Sequence, residues 1–559
     1  MLALLSGLPI LVVLALMLGL RWPAARAGVV GAGLALLIAL GTFGLGRDVL
    51  PEAGIGGGLT GILAEATFTS ATILWIVLPA LAIHHLQVGS GATETLRVAL
   101  GRLSDDPRIL ALLIGWFFAL FIEGAAGFGA SVALAAPFLV GLGYRPLEAV
   151  VVAMIGHAVG VSFGAIGTPI VPMVAATDLS PLELSSASAT YHVLFGWLPL
   201  AVMVVVASRG TGTRATGAIW GWTALAGAAF LVPMWLLARF VGPELPTLAG
   251  ALIGVATFVV ALVLARRRAP SAQPASTVLP RELDPNEPFP VELGANPDLE
   301  HPDEAEPATD AASTPQDGRT AVPGPTDQDV EVTPGGLLLA GAPYLALIVL
   351  VVATRTVPVI AEPLGRLQLT WELTGGFTGS FSPLTHPGTL LVVSLLGGAA
   401  IQRLGRAAIA TALRTTLKQL VPVTIALLAM LLLARTMVRS GMTDALAEAA
   451  AGSAGAAWPL LAPLVGVLGT FVTGSATASN VLFTDLQSAT AQQLGLPEAP
   501  LLGAQNFGAG VGNAVCPHNI VAAGATVGLV GAEGDVLRRT LGVTLVYALL
   551  GGAAALVLT

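Results

Sequence analysis

One cysteine, Cys516, stands in 559 residues, so no internal disulfide and no cysteine-built metal site can form. Charge is scarce as well: 10% of the residues are Asp, Glu, Lys or Arg, against about 25% in a soluble domain. With 55% hydrophobic residues and a mean hydropathy of +0.84, that scarcity excludes a soluble globular chain. It indicates an all-α polytopic protein of the lipid bilayer. The net charge of −8 argues against a nucleic-acid partner. Four Tyr and nine Trp make too thin an aromatic belt to mark the membrane interfaces. No phosphate-binding loop, metal cluster or nucleophile–base pair is present, so neither an enzyme nor a cofactor is expected. The first apolar run, Leu2 to Leu20, lacks a basic leader and a cleavage site, and reads as a retained helix rather than a signal peptide.

Helices of about 20 apolar residues span a bilayer. Candidates are 2–20, 26–46, 71–88, 147–175, 190–208, 217–237 and 246–265, then 335–353, 387–403, 419–439, 499–530 and 540–558. Two further apolar stretches, 107–141 and 457–494, are too long for one span and carry glycine-rich motifs in their middles. The first is E-G-A-A-G-F-G-A-S-V from Glu123 and the second T-G-S-A-T-A-S-N-V-L from Thr473. Each is followed, at nearly the same distance, by small residues ending in proline: G-A-I-G-T-P-I from Gly164 and G-N-A-V-C-P-H-N-I from Gly512. Paired interruptions in corresponding halves of a hydrophobic chain point to a transporter binding site.

Loop charge decides between a span and a re-entrant hairpin at 107–141. If the chain crosses there, the loops at Arg209/Arg214 and Arg266–Arg268 face outward, against the positive-inside rule. If it turns back, every arginine-rich loop falls in the cytoplasm, and the outer loops hold Asp48, Glu52, Asp178, Glu183 and Glu244. The expectation is therefore about 12 transmembrane helices plus two re-entrant hairpins from opposite faces, forming an inverted-topology repeat with both termini outside. Residues 1–265 form one half, with hairpin 107–141 and broken helix 147–175. Residues 335–559 form the other, with hairpin 457–494 and broken helix 499–530. The segment 266–334, rich in Pro, Asp, Glu, Ala and Thr, cannot bury enough apolar surface to order itself and reads as a cytoplasmic linker. A plain duplicated channel remains an alternative to alternating access.

At each tip a new helix starts with unpaired N–H groups that favour an anion. Substrate contacts are expected from Gly124, Ala125, Gly127, Phe128 and Gly129 at the first tip, and from Ser475, Thr477, Ser479 and Asn480 at the second. Gly164 and Thr168 at the first break, and Asn513, Cys516 and His518 at the second, complete the set. The bland reading of each is helix packing or a proline kink. Ionisable groups at membrane depth are functional candidates, so Glu123, His157 and His518 are candidates for a coupling proton. Asp485 reads as structural. No Lys or Arg lies in either tip or break, which suits a weakly held monoanion. The hydroxyls and amides of the second tip suit Na⁺ as well, so sodium coupling stays open, as does a cation antiporter or channel on the same scaffold.

On these residues the chain resembles the lactate permease family. The resemblance is carried by E-G-A-A-G-F-G (Glu123 to Gly129), F-G-A-I-G-T-P-I (Phe163 to Ile170), T-G-S-A-T-A-S-N-V-L-F (Thr473 to Phe483) and T-V-G-L-V-G (Thr526 to Gly531), and the order of segments follows it outside the linker. It implies a proton-coupled carrier of L-lactate or a related 2-hydroxy monocarboxylate such as glycolate, in the cell membrane. It also implies the two-hairpin inverted repeat and a homodimer, as in the wider ion-transporter group. Ala476 stands where the family pattern implies an acid and Asn513 where it implies a lysine. His157 stands for an asparagine-like residue and His518 for a glutamine.

Overall fold

Two helices far longer than a bilayer needs organise the molecule. Gly54–Gly89 has 36 residues and Arg406–Arg439 has 34. At 1.5 Å per residue each is roughly 50 Å long, so both must tilt in or protrude from a hydrocarbon layer of about 30 Å. The spans expected at 71–88 and 419–439 are only their C-terminal halves. The small-residue run from Gly54 and the amphipathic run from Arg406 continue the helix beyond the hydrophobic segment that sequence reasoning isolates. Pro79 and Pro422 lie inside them. The two helices pack on each other, and Gly28 and Gly31 let helix Ala24–Gly41 settle against Ala429 and Leu433.

This computed structural model describes residues 2–268 and 333–559 apart from 19, 21, 128, 214, 216, 530 and 531. Phe128, nearly all of the linker expected at 266–334, and Val530 and Gly531 of the last motif lie outside the described residues.

The same succession of elements occurs twice. Two residues beyond each long helix stands a glycine in the left-handed region, Gly91 (φ 75°) or Gly441 (φ 78°). A short amphipathic helix follows, Ala92–Gly101 or Met442–Ala454, with Glu94 or Asp444 in its first turn, where a helix dipole favours an acid. The junctions read Ser90-Gly91-Ala92-Thr93-Glu94 and Ser440-Gly441-Met442-Thr443-Asp444. Next comes a helical hairpin whose second limb folds back along the first. Pro107–Ala125 pairs with Ala130–Gly141, and Trp458–Thr473 with Ala476–Leu494. An interrupted helix follows in each case. The first runs Pro146–His157, then a 3-10 turn Ala158–Phe163, then Val171–Ala176. The second runs Glu498–Gly512, a 3-10 turn Asn513–Val515, then Pro517–Thr526.

Limb one of the first hairpin is π-helical over Ala111–Phe118, a form that gathers at functional sites. There Gly115 and Gly156 face each other, so the limb touches the first interrupted helix backbone to backbone. Among the described residues, eight helices are long and apolar enough to cross a membrane, and ten when two bent pairs are each one span. Three segments counted as spans from sequence, Leu2–Leu18, Ala24–Gly41 and Pro387–Ile401, are shorter apolar helices.

The chain is not wholly helical. Between helices Pro358–Gly365 and Pro387–Ile401, Leu369–Leu373 pairs antiparallel with Phe377–Phe381. Gly375 and Gly376 turn the ribbon at positive φ, as a short hairpin loop requires.

Candidate functional site

The first tip leaves helical geometry after Ala125 and passes Gly127 (φ 61°) and Gly129 (φ 79°) before limb two starts at Ala130. The second tip turns at Gly474 (φ 78°), and the Ser475 hydroxyl accepts from the Ala478 N–H at 3.4 Å, capping limb two. Only glycine takes such dihedrals without a steric cost.

The first break is stranger. Ala165 (φ 43°) and Ile166 (φ 58°) are left-handed without being glycine, and for a β-branched residue this is strained. The break sits directly under the first tip: a methyl added at Gly127 would stand 2.9 Å from Ala165 Cβ.

Where these four pieces meet there is a cavity of about 30 Å³, enough for one or two waters or a few heavy atoms. Glu123 and Gly127 line it from the first tip, Gly164 and Thr168 from the first break, Ser475 and Thr477 from the second tip, and Asn513 from the second break. Both halves of the chain therefore contribute to one small chamber. Among the described residues no Lys or Arg lines it.

Other expected site residues stand around rather than in it. Gly124 packs on backbone, since an added methyl would reach Leu248 Cα at 2.7 Å. Ala125 is buried outside the lining. Gly129 faces Asn519. The Ser479 hydroxyl donates to Gly466 O at 2.9 Å, across its own hairpin. Cys516 is buried, whereas His518 beside it is exposed; a methyl added at Gly474 would lie 3.9 Å from Cys516 Sγ and 3.5 Å from His518 Cβ. Asp485 lies away from the cavity, within electrostatic reach of Arg435 and Arg439.

Glu123 and His157 are both buried. Ser131 Oγ on limb two donates to Glu123 Oε2 at 2.7 Å, and the other carboxylate oxygen closes on Gly164. A larger residue than glycine at 164 would collide with it. His157 lies within electrostatic reach of Glu123. Its Nδ1 is 3.0 Å from Ala153 O and its Nε2 3.2 Å from Asn513 Oδ1. The chamber thus joins a carboxyl group, hydroxyls, an amide and the start of a hairpin limb, and the His157 imidazole stands outside the lining, behind Asn513. That set can hold a small carboxylate and its adjacent hydroxyl, and can take or give a proton.

Behind the chamber runs a buried amide network that sequence reasoning missed. Asn480 Nδ2 donates to Pro169 O at 2.9 Å and to Asn506 Oδ1 at 2.8 Å. Asn506 Nδ2 donates to Ser188 Oγ at 2.9 Å. Gln487 Nε2 donates to Gln505 Oε1 at 3.1 Å, and Trp458 Nε1 to Gln487 Oε1 at 2.8 Å. Ser162 Oγ donates to Asn506 O at 2.9 Å, so it accepts from His192 Nε2–H at 2.8 Å. His192 Nδ1 is then the acceptor for the Tyr547 hydroxyl at 2.8 Å. This histidine is a neutral pin between the first break and the last helix. The signal available in the sequence was the Gln505-Asn506 pair inside an apolar run, since polar side chains at membrane depth bond across helices. Among the described residues no His, Cys, Asp or Glu cluster could hold a metal ion.

A family model described as L-lactate permease matches residues 2–273 and 374–559. The chain is 27% identical over 579 residues to the glycolate permease GlcA of Escherichia coli strain K12, covering 98% of this chain and 93% of that one. It is 30% identical over 497 residues to the L-lactate permease of the same strain, covering 86% and 83%. Among solved structures, the YdaH transporter of Alcanivorax borkumensis superposes with a TM-score of 0.49 at 14% identity, over 95% of this chain and 98% of that one.

Proposed function

Because the chain belongs to the L-lactate permease family, we propose that it carries L-lactate, or a related small 2-hydroxy monocarboxylate such as glycolate, across the cell membrane by proton symport with alternating access. It is a multi-pass membrane transporter by family rather than an enzyme. The observation that carries the finer reading is the shared chamber: both tips and both breaks converge on one space that a small acid suits and a large substrate does not.

In this reading the two successions of elements form an inverted repeat within about 12 spans, with hairpins entering from opposite faces. The segment 266–334 is a cytoplasmic tether between halves, and the protein works as a homodimer. The carboxylate of the substrate faces the N-terminal N–H groups of the two second limbs. Its 2-hydroxyl meets Thr168, Ser475 or Thr477. Glu123 or His157 holds the coupling proton, which offsets the substrate's charge during the crossing. His518, exposed beside the second tip, is the outer candidate for the same role.

Sodium coupling is less well supported. Ser479 and Asn480 lie outside the chamber lining, and their side-chain oxygens already accept from Gln505 Nε2. Ser475 and Thr477 are the second-tip residues that bring side-chain oxygens to the chamber lining. Purified protein in liposomes is expected to take up labelled L-lactate or glycolate faster under an inward proton gradient, and Glu123→Gln or His157→Ala to lose that stimulation. Uptake driven by sodium alone, or cation exchange without an organic anion, would overturn the proposal.

A further inference from the structure

Beside the chamber, three side chains from two interrupted helices lead to the first tip. His157 Nδ1 faces the Ala153 carbonyl at 3.0 Å. A carbonyl only accepts, so Nδ1 carries hydrogen, and Nε2 is the position that gains or loses a proton. Nε2 meets Asn513 Oδ1 at 3.2 Å, and the same oxygen accepts from Asn519 Nδ2. Asn519 is 1% exposed, yet its own Oδ1 is buried with no hydrogen-bond partner among the described residues. That oxygen points at the tip, 2.5 Å from where a methyl on Gly129 would stand.

A primary amide turned end for end keeps its shape and exchanges donor for acceptor. The chain therefore has two self-consistent settings. With Nε2 protonated, the imidazolium and Asn519 Nδ2 both donate to Asn513 Oδ1, and Asn519 offers an acceptor to the tip. With Nε2 bare, Asn513 turns its Nδ2 toward the ring. It then presents a donor to Asn519 as well, so Asn519 turns and offers the tip a donor instead. Among the described residues the titratable group within electrostatic reach of His157 is Glu123 on the first hairpin. The second break offers the ring the neutral Asn513 amide, and its own helix the Ala153 carbonyl.

We propose that Asn519 is a positioning residue that transmits the protonation state of His157, through Asn513, to the tip of the first hairpin. The transmission couples the proton to tip movement, and rests on the proton-symport reading above. Gly129 is part of the device, because any side chain there would displace the Asn519 amide.

The test uses full-length protein in liposomes, with labelled L-lactate, comparing wild type, Asn519→Ala, Asn519→Ser, His157→Gln and the double variant His157→Gln/Asn519→Ala. Lactate counterflow at symmetric pH needs no net proton movement; uptake under an inward proton gradient does. Both Asn519 variants are expected to keep counterflow and lose about tenfold of the gradient stimulation, a typical coupling between sites. They are expected to flatten the pH profile of counterflow as His157→Gln does, and the double variant to lose no more than His157→Gln alone. Retained gradient stimulation in the two Asn519 variants, strictly additive losses, or loss of counterflow in a serine variant with wild-type melting would each overturn the relay. Wild-type lactate uptake that ignores the proton gradient would instead defeat the symport reading, a separate result.

Discussion

Asn480 of the second hairpin donates to the carbonyl oxygen of Pro169 at the first break, 2.9 Å away. The two residues are 311 positions apart and belong to opposite halves. A break frees backbone acceptors that must find partners inside a membrane protein, and here the other half supplies the partner. Asn480→Ala leaves Pro169 O and Asn506 Oδ1 without their donor, at about 1–3 kcal/mol each. The expected outcome is a melting temperature several degrees lower in detergent and transport near zero. An alanine variant that transports at the wild-type rate would show the contact to be incidental.

Gly124 separates packing from ligand contact at the first tip. Its absent side chain leaves room for Thr247 and Leu248 at the start of helix Pro246–Arg268. Gly124→Ala overpacks that contact at about 1–3 kcal/mol, and should lower the yield of folded protein while leaving the KM of surviving transporter unchanged. A selective rise in KM with unaltered melting would place Gly124 at the substrate after all.

Strain at the first break makes a prediction of opposite sign. Ala165 is held at φ 43° and ψ 54°, a conformation that costs a residue with a side chain about 1–2 kcal/mol. Ala165→Gly should stabilise this conformation by about 1 kcal/mol, raising the melting temperature. If the strain is released during the transport cycle, turnover should fall at the same time. A destabilised Ala165→Gly protein would mean that the buried methyl matters more than the dihedral.

Much of this site is legible in the sequence because glycine and proline report backbone geometry directly. Gly127, Gly129 and Gly474 mark the tips, since positive φ is what glycine permits; Pro169 and Pro517 mark the breaks, since proline removes a donor. Glu123 and His157 stand out as ionisable groups in apolar runs. Asn506, Gln505 and Ser162 do not, because an amide's role depends on partners hundreds of residues away that no local pattern reveals. Ala165 and Ile166 carry no signal at all: both are ordinary helix or strand residues, and only the packing of tip on break forces them into the left-handed region. The long helices are misjudged in length for a related reason. Hydropathy sees the most apolar part of Gly54–Gly89, while helix continues wherever hydrogen bonding and small residues allow.

Outside the spans, Asp106 caps the first hairpin by accepting from the Arg108 N–H at 2.9 Å. The side-chain hydrogen bond from Arg108 holds its carboxyl below the usual range, against partial burial. A depressed carboxyl contributes its stability above the unfolded value and loses it as pH falls through the folded one. It therefore stays ionised throughout transport assays. Asp106→Ala should lower melting by the same amount at about pH 5.5 and pH 7.5, by an N-cap loss of about 1 kcal/mol. A loss confined to one pH would indicate that the cap titrates there, and pH-driven uptake would then need correcting for it.

Arg439 joins the two long helices to the β-ribbon, and the chemistry of its head group decides what substitution does. Its guanidinium pairs with Glu65 through two nitrogens, donates to Gly376 O at 3.1 Å and lies 4.6 Å from the Phe377 ring centroid. Lysine keeps the charge but cannot bridge two oxygens, reach the carbonyl and lie flat on the ring together. Arg439→Lys should therefore behave as a loss, at about 2 kcal/mol for the charged hydrogen bonds, and Glu65→Gln should cost a similar amount by leaving the guanidinium short of its counter-charge. Both should lower melting while the substrate panel and proton response stay as in wild type, because the cluster lies outside the chamber lining. A lysine variant with wild-type melting would reduce the contact to simple charge attraction, and a changed proton response would mean that the ribbon and long helices move with the tips rather than anchoring them.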